Sequence, residues 1–135
     1  MRSSRPGLGA ERTNAAGFTL IELLVVLAIL ATLLSIAAPR YFESIDRAKE
    51  AALKADLRAF RDAIDKHRAD SGRLPESLQR LVDGRYLRSI PVDPVTDSAA
   101  GWVVVTHPDG STPGVYDVRS GAPGEARDGT RFESW

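Results

Sequence analysis

The chain has no cysteine and only two histidines. Without thiols it can form no disulfide, no thiolate metal site and no cysteine nucleophile. The histidines, His67 and His107, lie far apart and lack the spacing of metal ligands. Net charge is missing too. Eighteen basic side chains balance eighteen acidic ones over 135 residues, so no electrostatic footprint points to nucleic acid. No G-x-S-x-G turn organises the serines, and the glycines of "GAPGEARDG" open no helix that could cradle a phosphate. There is no internal repeat and no sustained heptad. With no catalytic constellation, the chain reads as a non-enzyme. Small exported domains often depend on disulfides; this one must be held by packing, assembly or a metal instead.

What the chain does have is one concentrated apolar run. Residues 18–38 contain 17 apolar side chains out of 21, interrupted only by Thr19, Glu22, Thr32 and Ser35. A run of about 20 residues is long enough to cross a bilayer as a helix. Arg2, Arg5 and Arg12 precede it against a single acid, Glu11. That bias predicts a single pass with a cytoplasmic amino terminus and the carboxy-terminal part across the membrane.

Two simple readings compete here. A cleaved secretory signal would have a basic start, an apolar core and small residues at "SIAAP", but Pro39 adjoins its cut and Glu22 weakens its core. A plain membrane anchor also leaves Glu22 unexplained. A charge inside a spanning segment costs roughly 2.5–3.5 kcal/mol at a helix centre, which makes it a functional candidate. A cut after Gly17 would give Phe18 a new amine one turn, or about 6 Å, from Glu22. The same amine on a neighbouring molecule would serve as well, and would set the stagger between molecules.

The residues "GFTLIELL" at 17–24 resemble the prepilin motif of type IV pilins and type II secretion pseudopilins. The resemblance implies that a membrane aspartic peptidase cuts between Gly17 and Phe18 and methylates the Phe18 amine, and that Glu22 acts in assembly. Pro39 falls where that family's long helix has its characteristic proline, and it would kink or locally open the helix.

Beyond Pro39 the pattern turns amphipathic. Ile45, Ala48, Ala52, Leu53, Leu57, Phe60 and Ile64 recur at helical steps, and Glu43 with Arg47 and Glu50 with Lys54 are favourable i,i+4 pairs. The spacing predicts one helix from Phe18 to about Asp70, ended by Ser71-Gly72. A short helix follows around Glu76–Val82, with Leu78, Leu81 and Val82 turned to the long one. Trp102 to His107 and Val115 to Arg119 read as an antiparallel pair. Thr130–Phe132 is a candidate edge strand. Trp102, Tyr116, Phe132 and Trp135 read as sheet core.

The expected fold is therefore α+β, a long amino-terminal helix packed on a small antiparallel sheet. Its expected parts are a leader at 1–17, a hydrophobic transmembrane and assembly helix at 18–40, and a periplasmic globular domain at 41–135. "LPESLQRLV", "IPVDPVTD" and "GVYDVRSG" are similar to the globular region of the major pseudopilin of type II secretion. That resemblance implies a structural subunit of a periplasmic filament that helps drive folded proteins across the outer membrane. Its implied partners are copies of itself, other pseudopilins, the prepilin peptidase and an inner-membrane assembly platform. A type IV pilin or competence pseudopilin, and a membrane-anchored binding module that never polymerises, remain open alternatives.

The residues themselves call for no cofactor. The resemblance implies a calcium ion in the carboxy-terminal loop, on Ser120, Asp128 and, less directly, Glu125, with backbone carbonyls and water completing six to eight oxygens. The alternative is a solvated loop turning at Asp128-Gly129.

Overall fold

Thr19 opens the long helix because its side chain and backbone both serve as a cap. Its carbonyl accepts the Leu23 N–H at 3.2 Å and its hydroxyl accepts the Glu22 N–H at 3.2 Å. In the computed structural model, which describes residues 16–135, helix α1 then runs over Leu20–Ser71. It carries on through Pro39, whose missing N–H leaves the Ser35 carbonyl without its helical donor. The chain divides into two compact units, one ending at Pro39 and one comprising Arg40–Trp135. The expected leader lies outside the described residues except for Ala16 and Gly17.

In the first unit every described residue is exposed. The helix has a window of mean hydropathy 2.7 with no residue of it buried. Its polar interruptions are satisfied locally. The Thr32 hydroxyl donates to the Ala28 carbonyl at 2.8 Å and the Ser35 hydroxyl to the Thr32 carbonyl at 2.7 Å. Neither needs a partner outside the helix, as a lipid-facing segment requires.

The second unit has its own core. Leu53, Leu57, Phe60, Ala63, Ile64 and His67 form the buried stripe of α1. It begins later than the sequence pattern suggested, since Ala48 and Ala52 are exposed and Ile45 is half-buried. Ser77 caps helix α2, Leu78–Asp83, by accepting the Arg80 N–H at 3.2 Å, and Leu81 enters the core fully buried. Strands β1, Trp102–Val105, and β2, Asp117–Ser120, pair antiparallel with Trp102 opposite Ser120. Trp102 sits edge-on to Phe60 at 5.0 Å and donates its indole N–H to the Pro91 carbonyl at 2.8 Å. Gly114 lies at φ +123°, and a Cβ there would come within 2.8 Å of the Leu74 Cβ. Only glycine fits that crossing.

Two expectations change. Thr130–Phe132 is not an edge strand, because Phe132–Ser134 closes into a 3-10 turn and only Glu125 and Arg131 bridge. Burial of Phe132 beside Trp135 draws the chain inward before a ladder can form. Tyr116 is not core either. It is exposed and edge-on to His107 at 4.8 Å, because Val115 and Val118 take the inward positions.

Candidate functional site

The amino-terminal end of α1 holds three of the residues singled out from sequence. Gly17 has no heavy atom within 4 Å of where a Cβ would stand, and Phe18 is 90% exposed. The peptide joining them precedes the first helical residue, Leu20, and lies outside regular secondary structure. Glu22 completes a reciprocal cap. Its carboxylate accepts the Thr19 N–H at 3.4 Å while its own N–H donates to the Thr19 hydroxyl. At 3.4 Å the first bond is long, and among the described residues no cation lies at ion-pair distance from Glu22. The cap thus fixes where the carboxylate points without neutralising it. Thr19 belongs to the motif at 17–24, and T-x-x-E before an apolar run is also the written signature of this cap.

The three calcium candidates are placed apart in function. Ser120 is fully buried at the end of β2. Its hydroxyl donates to Asp93 Oδ2 at 2.7 Å and accepts the Ala122 N–H at 3.1 Å. Asp93, the other acid there, is itself fully buried and also accepts the N–H groups of Val95 and Thr96. Asp128 is exposed, accepts from Thr130, and faces Lys54 at 4.0 Å. Glu125 is exposed and bridges Arg131 through its backbone. Among the described residues no three His, Asp or Glu side chains gather as a metal cage. The donor set does not fit calcium: the serine already serves an internal bond, and the loop acid already has a cation beside it.

Lys54 and Glu50, expected to pair with each other, instead turn to this loop. Glu50 accepts the Arg127 N–H at 2.8 Å. The Glu43–Arg47 pair forms at 3.8 Å on the exposed face. A groove of about 480 Å³ beside the end of α1 is lined by His67, Ser71, Arg73, Glu76, Arg80 and Gly114. His67 Nδ1 lies 3.0 Å from the Arg73 carbonyl and 3.2 Å from the Ser71 hydroxyl, which itself donates to the His67 carbonyl at 2.7 Å and so serves the end of the helix.

Comparison with known proteins bears on the amino-terminal site and on more than half of the chain. The family model for the prokaryotic N-terminal methylation motif matches residues 12–38. Type II secretion system core protein G of Pseudomonas aeruginosa is 34% identical over 101 residues, covering 62% of this chain and 70% of that one. The protein of the same name from Klebsiella pneumoniae is 33% identical over 94 residues, covering 58% and 67%. That of Escherichia coli K12 is 26% identical over 123 residues, covering 79% and 81%. No solved structure matches the chain at a significant level.

Proposed function

Because the chain belongs to the type II secretion system core protein G family, and is therefore a pseudopilin subunit of that system, we propose how its two units divide the work. The first unit anchors the precursor in the inner membrane, with the amino terminus in the cytoplasm and Arg40–Trp135 in the periplasm. A prepilin peptidase cuts between Gly17 and Phe18, leaving 118 residues, and methylates the new amine. An inner-membrane platform then stacks the apolar helices of many copies, with other pseudopilins, into a periplasmic filament. Growth of that filament helps move folded proteins across the outer membrane. The role is structural rather than enzymatic.

One observation carries this reading. An apolar helical segment that is wholly exposed leads into a unit whose core is closed without it. Such a segment needs apolar surroundings from outside the subunit, first lipid and then the helices of its neighbours. Phe18 and Glu22 stand at the tip of that segment. The carboxylate, held by the Thr19 cap and with no cation at ion-pair distance among the described residues, suits the Phe18 amine of an adjoining subunit.

The test is genetic and chemical together. Deletion of the gene should trap type II substrates in the periplasm while leaving surface pili and DNA uptake intact. Loss of piliation or of DNA uptake with normal secretion would instead favour the pilin or competence alternative. Mass spectrometry of the mature protein should find a methylated Phe18 at the amino terminus. A mature chain starting at Ala38 or Pro39 would overturn the assembly reading in favour of a secretory signal.

A further inference from the structure

The segment after β2, Gly121–Trp135, has little regular structure of its own: one isolated bridge and one 3-10 turn. A segment of that length needs to be tied down if it is to be ordered. Its ties converge on one face of α1. Glu50 takes the Arg127 N–H at 2.8 Å. One turn later, Lys54 Nζ lies 4.0 Å from Asp128 Oδ2 and 4.2 Å from the centre of the Trp135 ring. The contacts then close on themselves. Thr130 donates its hydroxyl and its backbone N–H to Asp128 Oδ1. The same Thr130 hydroxyl oxygen accepts the Trp135 indole N–H at 2.7 Å. Trp135 in turn packs edge-on to the buried Phe132 at 5.2 Å.

We infer that the resident cation of this loop is the Lys54 ammonium, and that the loop closes on α1 without a divalent metal. An ammonium over an indole face and beside a carboxylate is attracted to both. A calcium ion at Asp128 would instead sit against that ammonium and suffer its repulsion. It would also need six to eight oxygens, where Asp128 is engaged by Thr130, Glu133 pairs with Arg131 at 2.9 Å and the serine is turned into the core, leaving the exposed Glu125 carboxylate. The Thr130 hydrogen bonds hold the Asp128 carboxyl below its ordinary range, with the Lys54 charge adding to the effect. The carboxylate is thus in its charged form for the lysine across the neutral range. The arrangement also explains why Glu50 and Lys54 forgo their own helical pair.

The experiment uses the full chain in detergent micelles, melted with millimolar calcium and again with chelator. Equal melting temperatures are expected. Lys54→Met keeps the stem and removes the charge; it should lower the melting temperature by about 4–8 °C, the loss of one cation–ring contact and one exposed pair in a domain of this size. Lys54→Arg should retain most of it. In the Lys54→Met background, Asp128→Asn should cost less than it does in the wild type, as for coupled partners. A saturable rise in melting temperature of the wild type with calcium would overturn the inference, as would Lys54→Met melting with the wild type. The calcium titration needs no variant, so a poorly folding substitution leaves the inference exposed to refutation.

Discussion

Replacing Asp93 with alanine should be among the most damaging single changes in the Arg40–Trp135 unit. Asp93 is the fully buried carboxylate of the described residues, and three donors depend on it: the N–H groups of Val95 and Thr96 at 2.8 and 3.2 Å, and the Ser120 hydroxyl at 2.7 Å. These bonds fasten the connector between α2 and β1 to the far end of β2. Alanine would leave the Ser120 hydroxyl unpaired in the interior and the Val95 and Thr96 N–H groups unpaired in half-buried positions. Each buried donor left unpaired costs about 1–3 kcal/mol, while water entry and relief of repulsion against Asp56 offset part of the sum. A net loss of about 3 kcal/mol follows. Asp93→Asn keeps the oxygen that serves the two backbone groups, and Ser120 can rotate to accept from the new amide, so its cost should be about 1 kcal/mol. Urea unfolding read by tryptophan fluorescence suits the measurement. The Trp102 indole is bonded to the Pro91 carbonyl, two residues from the substitution. The midpoint should fall with an unchanged slope. The reasoning fails if alanine costs under 1 kcal/mol, or if asparagine and alanine cost the same.

Glu22→Gln preserves the reciprocal cap with Thr19 but removes the charge, whereas Glu22→Ala removes both and should cost the helix start about 1 kcal/mol. If charge pairing with a neighbouring Phe18 amine drives assembly, both variants should form few filaments by electron microscopy; normal yield with glutamine would refute the pairing. Gly114→Ala forces a side chain into φ +123° and within 2.8 Å of Leu74 Cβ, and a loss of about 2 kcal/mol or more should appear as a lower urea midpoint. Asp56 has its carboxyl pushed above the ordinary range, by desolvation first and then by the charge of Asp93. The folded chain therefore holds that proton to higher pH than the unfolded chain does. Stability from this group falls as pH rises from the ordinary carboxylate range through the raised value. Asp56→Asn should flatten that part of the melting-temperature profile and raise stability at neutral pH; a steeper fall would contradict the sign.

What the sequence determined by itself is local. The apolar run, the prepilin motif, the amphipathic stripe and the paired strands all follow from neighbours within a few positions, because hydropathy and helical or strand period act over that range. The T-x-x-E cap at Thr19 and Glu22 is equally legible, since its two hydrogen bonds span only three residues. Asp93 could be placed in a connector from "VDPV", yet nothing near it in sequence says that Ser120 will arrive to bury it. The same holds for Glu50 and Lys54. Their i,i+4 spacing describes an isolated helix correctly, and a loop closing over that helix overrules it with partners of its own. The last turn followed the same logic, since Phe132 reads as strand until the core beside Trp135 pulls it in. Tertiary structure decided these cases because the Glu50 carboxylate meets a backbone N–H 77 residues away, and a contact at that separation leaves no period in the chain for a local pattern to register.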